Sequence, residues 1–537
     1  MIRAIMKKEG DTMNDDVKDV GLHLLTKGRQ SVFKIIFSRT GLIVLLLVIQ
    51  VLFLLAIFGM FEEFIPHIYG AVILFTLFMI LYLLNSSIDA SAKITWLVIV
   101  MFIPIFGVLL FLYTQQEVGH RTLKKRMDQV LKDQQATLPQ EQAVMKELEE
   151  VHPALVSLTR FLSRSGAHPV WKNTNVSYFP LGEIMFEEML VQLKKAKHFI
   201  FLEYFIVAEG KMWGEMLEIL AQKVKEGVEV RFLYDGTNEF TTLPHDYPKR
   251  LRALGIQAKM FAPVTPFVST HYNYRDHRKI LVIDGTVAFN GGINLADEYI
   301  NEVVHYGHWK DTGVMLEGDG VKNFTMMFLQ MWNLDEKNKV YKPYVDIACG
   351  KVDKASGYVL PYGDCPLGDD QVGEHVYMDL LYRAKKYAYI TSPYLIVDGE
   401  MEDALIYAAK RGVDVQLMLP GISDSTIAHG LAYTHYHKLL QAGVKILEYD
   451  PGYVHAKMFI VDGKEAVVGT INLDYRSLYH HFECATYLYD VACIKDILLD
   501  FMETKKKCTQ ITLENVKKLP LKRKLVGFVM KTIAPLI

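Results

Sequence analysis

A histidine and a lysine two positions apart occur twice in the sequence, each time inside a segment of the same pattern. The first segment reads HRKILVIDGTVAFNGGIN, from His277 to Asn294, and the second reads HAKMFIVDGKEAVVGTIN, from His455 to Asn472. Both fit H-x-K-x4-D-x6-G-[GT]-x-N without a gap. One His-x-Lys pair on an apolar strand is usually incidental, whereas two complete copies with identical spacing indicate a function.

The residue types suit chemistry on a phosphodiester. Two such segments facing each other would supply two imidazoles, of which one attacks phosphorus while the other protonates the leaving alkoxide. Lys279, Lys457, Asn294 and Asn472 would hold the non-bridging oxygens and offset their negative charge. Because the lysines supply the positive charge, the sequence predicts a site that needs no metal and no other cofactor.

A pair of β-hairpins would position these groups. The apolar run after each histidine ends in Asp-Gly, at Asp284 and at Asp462, which is a strong turn signal. Residues two apart on a strand point to the same face, so each His-x-Lys pair would share a face at the start of its strand. The Gly-rich turn at the end of each hairpin would return Asn294 or Asn472 to its own pair.

The flanking segments predict a sheet covered by helices. His198–Val207, Lys211–Glu226 and Val228–Tyr234 read as strand, helix and strand, and the order recurs at Ala388–Val397, Glu400–Arg411 and Val413–Leu419. This repeat predicts an α/β fold of two similar halves, each a β-sheet flanked by helices. The expected order begins with a basic N-terminal segment (1–40), a transmembrane region (41–114) and a connector (115–169). The first half (170–345), the second half (346–503) and a basic and apolar tail (504–537) follow.

Three uncharged apolar stretches precede the catalytic part, at Gly41–Phe61, Ile65–Leu84 and Ile94–Tyr113. Each has about the 20 residues that a helix needs to cross a bilayer, so the sequence predicts N-terminal transmembrane helices, the third kinked at Pro104. Basic residues flank the region on both sides. The positive-inside rule therefore leaves open whether two or three spans cross and which side carries the site.

The composition limits which classes of partner and which structural groups are expected. The formal net charge of −2 gives no reason to expect nucleic acid, whose binding grooves are usually strongly basic. The five cysteines include no C-x-x-C pair, so neither a disulfide framework nor a zinc site is expected. The lysine-rich tail ends in the apolar run Leu525–Ile537, which is compatible with an anionic membrane surface or with a helix packed on the domain.

The motifs resemble those of the phospholipase D superfamily, whose signature is a paired HKD motif. Within that superfamily the chain is similar to bacterial cardiolipin synthases over about residues 70–537. The blocks that carry the resemblance are KITWLVIVMFIPIFGVLLFLY, YRDHRK, GGINLADEY, HWKDT, TSPYL, YVHAKMFIVD, GTINLDYRS and the final APLI.

The resemblance implies a two-step transfer at a bacterial plasma membrane, with phosphatidylglycerol and anionic lipids as partners. His277 would attack phosphatidylglycerol and expel glycerol, with His455 as general acid. A second phosphatidylglycerol would then take the phosphatidyl group and give cardiolipin.

The resemblance also assigns the acidic residues. Glu483 would orient His277 and Asp311 would orient His455, each from the opposite half, while Asp284 and Asp462 would brace loops rather than touch phosphate. One block departs from the family, because SLYHHFE has histidine where relatives often have asparagine before the aromatic residue.

Other functions remain open from the sequence. Water as acceptor would make the chain a phospholipase D, and another alcohol would give a different phospholipid. A nuclease and a non-enzymatic membrane scaffold fit the residues less well, since the chain has apolar stretches and both motifs are intact.

Overall fold

The computed structural model describes residues 48–49, 51–52, 65–86, 88–115, 118–263 and 274–536. Two β-sheets of the same strand order, one from each half of the repeat, form its centre. The strands of the first half are β1 (Thr174–Phe179), β2 (Phe199–Tyr204), β3 (Glu229–Asp235), β4 (Gln257–Phe261), β5 (Arg275–Asp276), β6 (Ile280–Ile283), β7 (Val287–Gly291), β8 (His308–Lys310) and β9 (Gly313–Gly318).

The second half repeats this plan. Its strands are β10 (Tyr358–Asp364), β11 (Tyr387–Thr391), β12 (Leu395–Ile396), β13 (Asp414–Pro420), β14 (Lys445–Tyr449), β15 (Gly452–Val454), β16 (Met458–Val461), β17 (Glu465–Gly469), β18 (Leu473–Asp474), β19 (His481–Tyr489) and β20 (Cys508–Ile511). The first sheet has the order β1-β9-β7-β6-β2-β3-β4 and the second β10-β19-β17-β16-β11-β13-β14-β20. The expected α/β fold with two similar halves is confirmed.

Helices flank both sheets and extend to both ends of the described chain. They are α1 (Ile65–Leu84), α2 (Ala90–Phe102), α3 (Pro104–Gln115), α4 (Val118–Thr137), α5 (Gln142–Val151), α6 (Pro153–Gly166), α7 (Gly182–Lys195), α8 (Lys211–Lys225), α9 (Asn238–Thr241), α10 (Tyr247–Ala253), α11 (Val321–Trp332), α12 (Lys342–Val345), α13 (Val372–Arg383), α14 (Gly399–Lys410), α15 (Thr426–Gln441), α16 (Ile494–Lys505), α17 (Leu513–Lys517) and α18 (Leu521–Ile533).

One apolar core is shared by the two halves. It joins Val282 of β6 to Ile460 of β16 and to Phe482 of β19, all of them fully buried. Burial of each such side chain stabilises the fold by roughly 1.5–3 kcal/mol. Met127 of α4 belongs to the same core and Leu148 of α5 packs in the core of the second half. The expected connector is therefore an integral layer of the domain.

The N-terminal region departs from the sequence prediction. The first predicted span, Gly41–Phe61, falls mostly outside the described residues, and the second coincides with α1. The third is two helices, because the chain leaves helical geometry at Ile103 (φ −136°, ψ 71°), where the following proline disfavours the helical conformation. No described helix combines the length and the apolar character that crossing a membrane requires, so the predicted transmembrane helices are not supported.

Helices α2 and α3 instead form a hairpin that contacts the C-terminus. At Gly107 a Cβ atom would lie only 3.0 Å from the carbonyl oxygen of Ile99, so glycine permits the close approach of the two helices. The rings of Trp96 and Phe111 pack edge to face across the hairpin, 5.3 Å apart. The hydroxyl of Thr95 donates to the carbonyl of Thr532 at 2.7 Å, which ties the hairpin to α18.

The C-terminal tail is part of the fold. Strand β20 extends the second sheet beside β14, and α18 packs against α15 where Gly527 approaches the carbonyl of Gly430. The opposite side of α18 exposes Leu525, Phe528 and Val529. Both interpretations left open by the sequence thus retain support, since one side of the helix is packed and the other is an exposed apolar surface.

Candidate active site

Each half places a short strand against the other half, and the motif histidines follow directly. Strand β5 runs parallel to β19, and β15 runs parallel to β8. The backbone N–H of His277 donates to the carbonyl of Phe482 at 2.9 Å, and that of His455 donates to the carbonyl of Lys310 at 2.8 Å. Both histidines are thereby held at the boundary between the halves.

The two predicted hairpins are present as β6–β7 and β16–β17. The His-x-Lys pairs precede β6 and β16 rather than beginning them, because the backbone at each histidine is already paired with the opposite half. Asp284 and Asp462 occupy the turns with φ of 51° and 52°, a left-handed conformation that aspartate tolerates. Each carboxylate accepts three backbone N–H bonds, Asp284 from residues 197–199 and Asp462 from residues 385–387. These contacts fit a bracing role.

His277 is held by a carboxylate of the second half. Its Nδ1 lies 2.8 and 3.0 Å from the two oxygens of Glu483, which is fully buried. The hydroxyl of Thr470 donates to the same carboxylate. The rings of Phe205 and His481 lie 4.9 and 5.3 Å from the imidazole of His277.

His455 is held by a carboxylate of the first half. Its Nδ1 lies 2.6 Å from Oδ2 of Asp311, and Oδ1 of the same carboxylate accepts the backbone N–H of Thr312. Three aromatic rings surround the imidazole at centroid distances of 5.3 to 5.8 Å, those of Tyr299, Trp309 and Tyr453. With Nδ1 engaged in both imidazoles, Nε2 is the nitrogen available for reaction in each.

Lys279 and Lys457 are buried beside their histidines. Each ammonium donates to the backbone carbonyl of its own motif histidine, at 2.6 Å for Lys279. Burial lowers the pKa of Lys279 to about 8 and that of Lys457 to about 7, while the charges of Glu483 and Asp311 oppose the shift. An arriving phosphate would favour the charged form of both lysines.

The site keeps both motif imidazoles neutral. Burial, followed by the charge of Lys279, lowers the pKa of His277 well below its ordinary value, with Lys457 and His455 contributing in the same direction. Burial and Lys457 lower the pKa of His455 to about 4, against the opposing effect of Asp311. These mutual effects mean that the two His-Lys pairs share one electrostatic environment across the boundary.

The motif asparagines are engaged with protein groups. Asn294 accepts the backbone N–H of Ile206 at 2.9 Å and donates to the hydroxyl of Tyr299 at 2.8 Å. The buried Oδ1 of Asn472 has no hydrogen-bond partner among the described residues. Asn294 therefore orients neighbouring groups, and direct contact of either amide with phosphate stays a prediction.

One cluster has the donor types of a metal site. Ligand atoms of His277, His481 and Glu483 all lie within 4.8 Å of one another, and all three residues are buried. A cation there would compete for the same Nδ1 and carboxylate atoms that form the His277–Glu483 hydrogen bond. The expectation that no metal is needed stays a prediction.

Several neighbours of the motif histidines have no role that the sequence alone predicts. Thr470 occupies the variable [GT] position, and three of the aromatic rings, Tyr299, Trp309 and Tyr453, fall inside the blocks that carry the family resemblance. For His481 the only sequence signal is that SLYHHFE departs from the family pattern at this position. Phe205 lies in a strand-like run with no distinguishing signal, and only the fold places it on His277.

Comparison with known proteins agrees with this arrangement. Residues 189–332 and 377–504 match the family described as "Cardiolipin synthase, PLD-like domain". The chain is 34% identical to a cardiolipin synthase of Halalkalibacterium halodurans over 432 residues, 80% of this chain and 85% of that one. This chain belongs to the cardiolipin synthase, PLD-like domain family.

Two further relatives show how far the likeness extends. The family member "Cardiolipin synthase 2" of Bacillus anthracis is 34% identical over 457 residues, 83% of this chain and 87% of that one. An uncharacterized protein of Streptococcus mutans is 55% identical over 461 residues, 85% of this chain and 99% of that one. Among solved structures, the phosphatidylserine synthase of Haemophilus influenzae has a TM-score of 0.51 at 13% identity and covers 67% of this chain and 93% of that chain, a likeness of fold.

Proposed function

We propose that this family member is a cardiolipin synthase that transfers a phosphatidyl group between two phosphatidylglycerol molecules and releases glycerol. The observation that carries the proposal is the crossed pairing of His277 with Glu483 and of His455 with Asp311, which joins the two halves into one site. A single site with two oriented imidazoles can form and then break one phosphorus–nitrogen bond.

In the first step His277 is the nucleophile. Its Nδ1–H donates to Glu483, which leaves the lone pair of Nε2 free to attack phosphorus. The phosphorus–oxygen bond to glycerol breaks as the phosphorus–nitrogen bond forms, and His455 gives its proton to the departing alkoxide. The product is a phosphatidyl-His277 intermediate, with Lys279 and Lys457 offsetting the charge on the phosphoryl oxygens.

In the second step the roles reverse. A hydroxyl of a second phosphatidylglycerol attacks the phosphorus, and the now neutral His455 takes its proton. The bond to His277 breaks and cardiolipin is formed. Although His455 is neutral in the empty site, the arriving phosphodiester anion favours its protonated form, so the same residue can begin as the acid.

The alternatives differ in the acceptor or in the polymer attacked. Water in place of the second lipid would give phosphatidic acid, and another alcohol would give a different phospholipid. To separate these outcomes, the detergent-purified chain is incubated with labelled phosphatidylglycerol in the presence of a chelator, and the lipids are resolved. Cardiolipin with an equal amount of glycerol is expected. Phosphatidic acid alone would support a hydrolase, nuclease activity alone would support a nuclease, and no turnover would support a scaffold.

We also propose that the enzyme works at an anionic membrane surface. Helices α1 and α18 both contact α2, and the exposed apolar side chains of α1, such as Leu74 and Phe78, and of α18, such as Leu525 and Phe528, support lipid contact. Exposed Lys524 and Lys531 add positive charge on α18. Replacing Phe528 by Asp should weaken flotation with phosphatidylglycerol vesicles, while replacing exposed Lys410 on α14 by Ala should not.

A further inference from the structure

A buried ammonium group, that of Lys310, lies at the boundary between the halves without an assigned role. The residue is 5% exposed, and its Nζ lies 2.7 Å from Oδ2 of Asp500 on α16. The same Nζ donates to the carbonyl of Pro180, and the hydroxyl of Tyr178 on β1 donates to Oδ2 of Asp500 at 2.6 Å. A buried charge is costly unless it is paired and hydrogen-bonded, and Lys310 meets both conditions. Its side chain thus ties β8 to the end of β1 and to a helix of the other half.

The backbone of the same residue supports the second motif histidine. The carbonyl of Lys310 accepts the N–H of His455 at 2.8 Å. The next residue, Asp311, lies 2.6 Å from Nδ1 of the same histidine. Two consecutive residues of the first half therefore hold both the backbone and the imidazole of His455. A displacement of these two residues would move the imidazole with them.

Strand β8, which ends at Lys310, has little support from the sheets. It is three residues long, and among the described strands it pairs only with β15, outside the two large sheets. Side chains hold it instead. Asn301 binds the backbone N–H and carbonyl of Trp309 at 2.8 and 3.0 Å. The end of β8 next to Asp311 is fixed by the ammonium group of Lys310.

The corresponding position in the other half is built differently. Phe482 precedes Glu483 as Lys310 precedes Asp311, and its carbonyl accepts the N–H of His277. Phe482 belongs to β19, which lies between β10 and β17 in the second sheet, and its side chain is fully buried in the shared apolar core. The support of His277 therefore comes from a large sheet and apolar packing, whereas the support of His455 depends on an ion pair.

We propose that Lys310 and Asp500 form a positioning pair for His455, which aligns Nε2 of this histidine with the oxygen of the leaving group. The assignment rests on the proposed function, in which His455 protonates the glycerol alkoxide. Both members of the pair act through the backbone of Lys310 and through Asp311, so they are positioning residues. A misplacement of about 1 Å in a reacting group can cost about a hundredfold in rate.

The test compares two leaving groups on the same enzyme. Phosphatidylglycerol labelled in its headgroup glycerol and the phosphatidyl ester of p-nitrophenol are each mixed with an excess of the full-length chain in detergent micelles, so that only the first step is followed. Glycerol needs a proton from His455 in order to leave, whereas nitrophenolate does not. The result is the ratio of the rates of glycerol and nitrophenol release, which a smaller folded fraction does not change.

Two substitutions at Lys310 and one matched control give the main result. Lys310→Met keeps most of the apolar stem and removes the ammonium group, and should lower the ratio about 10- to 100-fold. Lys310→Arg keeps a charged donor for Asp500 and should stay within about threefold of the wild type. Lys445→Met breaks a more exposed ion pair, that with Asp414, and should leave the ratio unchanged.

Two further variants separate positioning from general damage to the fold. Lys310→Met leaves the carboxylate of Asp500 without its cation, which is itself destabilising. The double variant Lys310→Met/Asp500→Leu removes both charges but still lacks the tie, so its ratio should be as low as that of Lys310→Met. Phe482→Leu loosens the support of His277, which both leaving groups require, and should slow both reactions without changing the ratio.

The outcomes distinguish this inference from the proposed function. If the wild-type chain releases neither glycerol nor nitrophenol, the proposed function is wrong and this inference falls with it. If the wild type releases both and Lys310→Met slows them equally, only the inference is overturned. The same conclusion follows if Phe482→Leu lowers the ratio as much as Lys310→Met does. If Lys310→Met does not fold, the double variant decides, because a wild-type ratio there excludes a positioning role for the pair.

Discussion

The two motif histidines share a sequence pattern but have different surroundings. His277 pairs with the longer acid, Glu483, whose carboxylate also receives the hydroxyl of Thr470. His455 pairs with the shorter acid, Asp311, beside Gly292, where a Cβ atom would overlap the carboxylate. The residue at the variable [GT] position therefore suits the acid that it contacts. Glycine leaves room for the carboxylate of Asp311, and threonine adds a hydrogen-bond donor to the carboxylate of Glu483.

The rings around the two imidazoles also differ, in polarity and in number. His277 faces Phe205 and the polar ring of His481, whereas His455 is enclosed by three aromatic rings. Polar groups beside His277 suit a position where headgroups exchange during the reaction. An aromatic enclosure restrains an imidazole that only has to pass a proton. The duplicated motif supplies the same reactive groups twice, and we infer that the neighbours of each histidine would distinguish their proposed roles.

The largest effect is expected from removal of His277, the proposed nucleophile. His277→Ala should lower transfer by about 10⁴-fold or more, because no phosphorus–nitrogen bond can form. The measurement is cardiolipin synthesis together with trapping of phosphorus-labelled lipid on protein denatured by detergent at mildly alkaline pH, where a phosphorus–nitrogen bond survives. His277→Ala should carry no label. Label retained on this variant would reassign the nucleophile to the second half.

The general acid is expected to show a different dependence on the leaving group. His455→Ala should slow release of glycerol by about 10²- to 10⁴-fold, since the alkoxide leaves without a proton. A phosphatidyl ester of p-nitrophenol needs no such proton, so release of nitrophenol should be restored in His455→Ala and not in His277→Ala. Equal rescue of both variants would mean that the two histidines are interchangeable and that their surroundings do not assign the roles.

The lysines should make the free enzyme sensitive to pH. Their pKa values of about 8 for Lys279 and about 7 for Lys457 mean that positive charge is lost as the pH rises through this range. The motif histidines have pKa values far lower and stay neutral there. Between pH 6.5 and 9, kcat/KM should fall by about tenfold or more, because the lysine pair loses its charge while the small protonated fraction of the acid His455 also decreases. A profile that is level or rises over this interval would contradict phosphate binding by buried ammonium groups.

Much of this site followed from the sequence because repetition is visible without a structure. The motif pattern predicted the hairpins, the shared site and the groups that occupy it. The crossed acids could be named only through the family resemblance, since Asp311 and Glu483 are far from their histidines along the chain. His481 and Phe205 could not be assigned, because the pairing of β5 with β19 places His481 on His277 and the pairing of β2 with β6 brings Phe205 to it.

The predicted transmembrane helices are not supported by the described helices, and for the third stretch the reason is local. The apolar runs gave the correct positions of α1 and of the third stretch. The length of an apolar run, however, does not tell whether the chain forms one straight helix or turns back on itself. Pro104 and Gly107 turn that stretch into the hairpin of α2 and α3, in contact with the C-terminal helix α18. For the tail the sequence left open a membrane surface or packing on the domain, and the structure shows that α18 packs on α15.

The smallest effect is expected at the variable motif position of the second copy, Thr470. It tests whether the hydroxyl of this residue contributes to the functional difference between the two histidines. Thr470→Val keeps the shape of the side chain and removes the hydroxyl that binds Glu483 and the backbone N–H of Cys484. Turnover should fall about two- to tenfold, since one hydrogen bond to the positioning carboxylate is lost. Thr470→Ser, which keeps the hydroxyl, is the matched control and should stay within about twofold of the wild type.

The rate should be read together with the melting temperature, because the Cys484 N–H also loses its acceptor in Thr470→Val. If turnover falls only as far as the folded fraction does, Thr470 stabilises the hairpin and does not tune His277. A lower kcat in fully folded Thr470→Val, with normal Thr470→Ser, would place the functional difference between the halves at this single hydroxyl. It would also explain in physical terms why the first copy can use glycine, since the second donor to Asp311 is the backbone N–H of Thr312 and no side-chain hydroxyl is needed at residue 292.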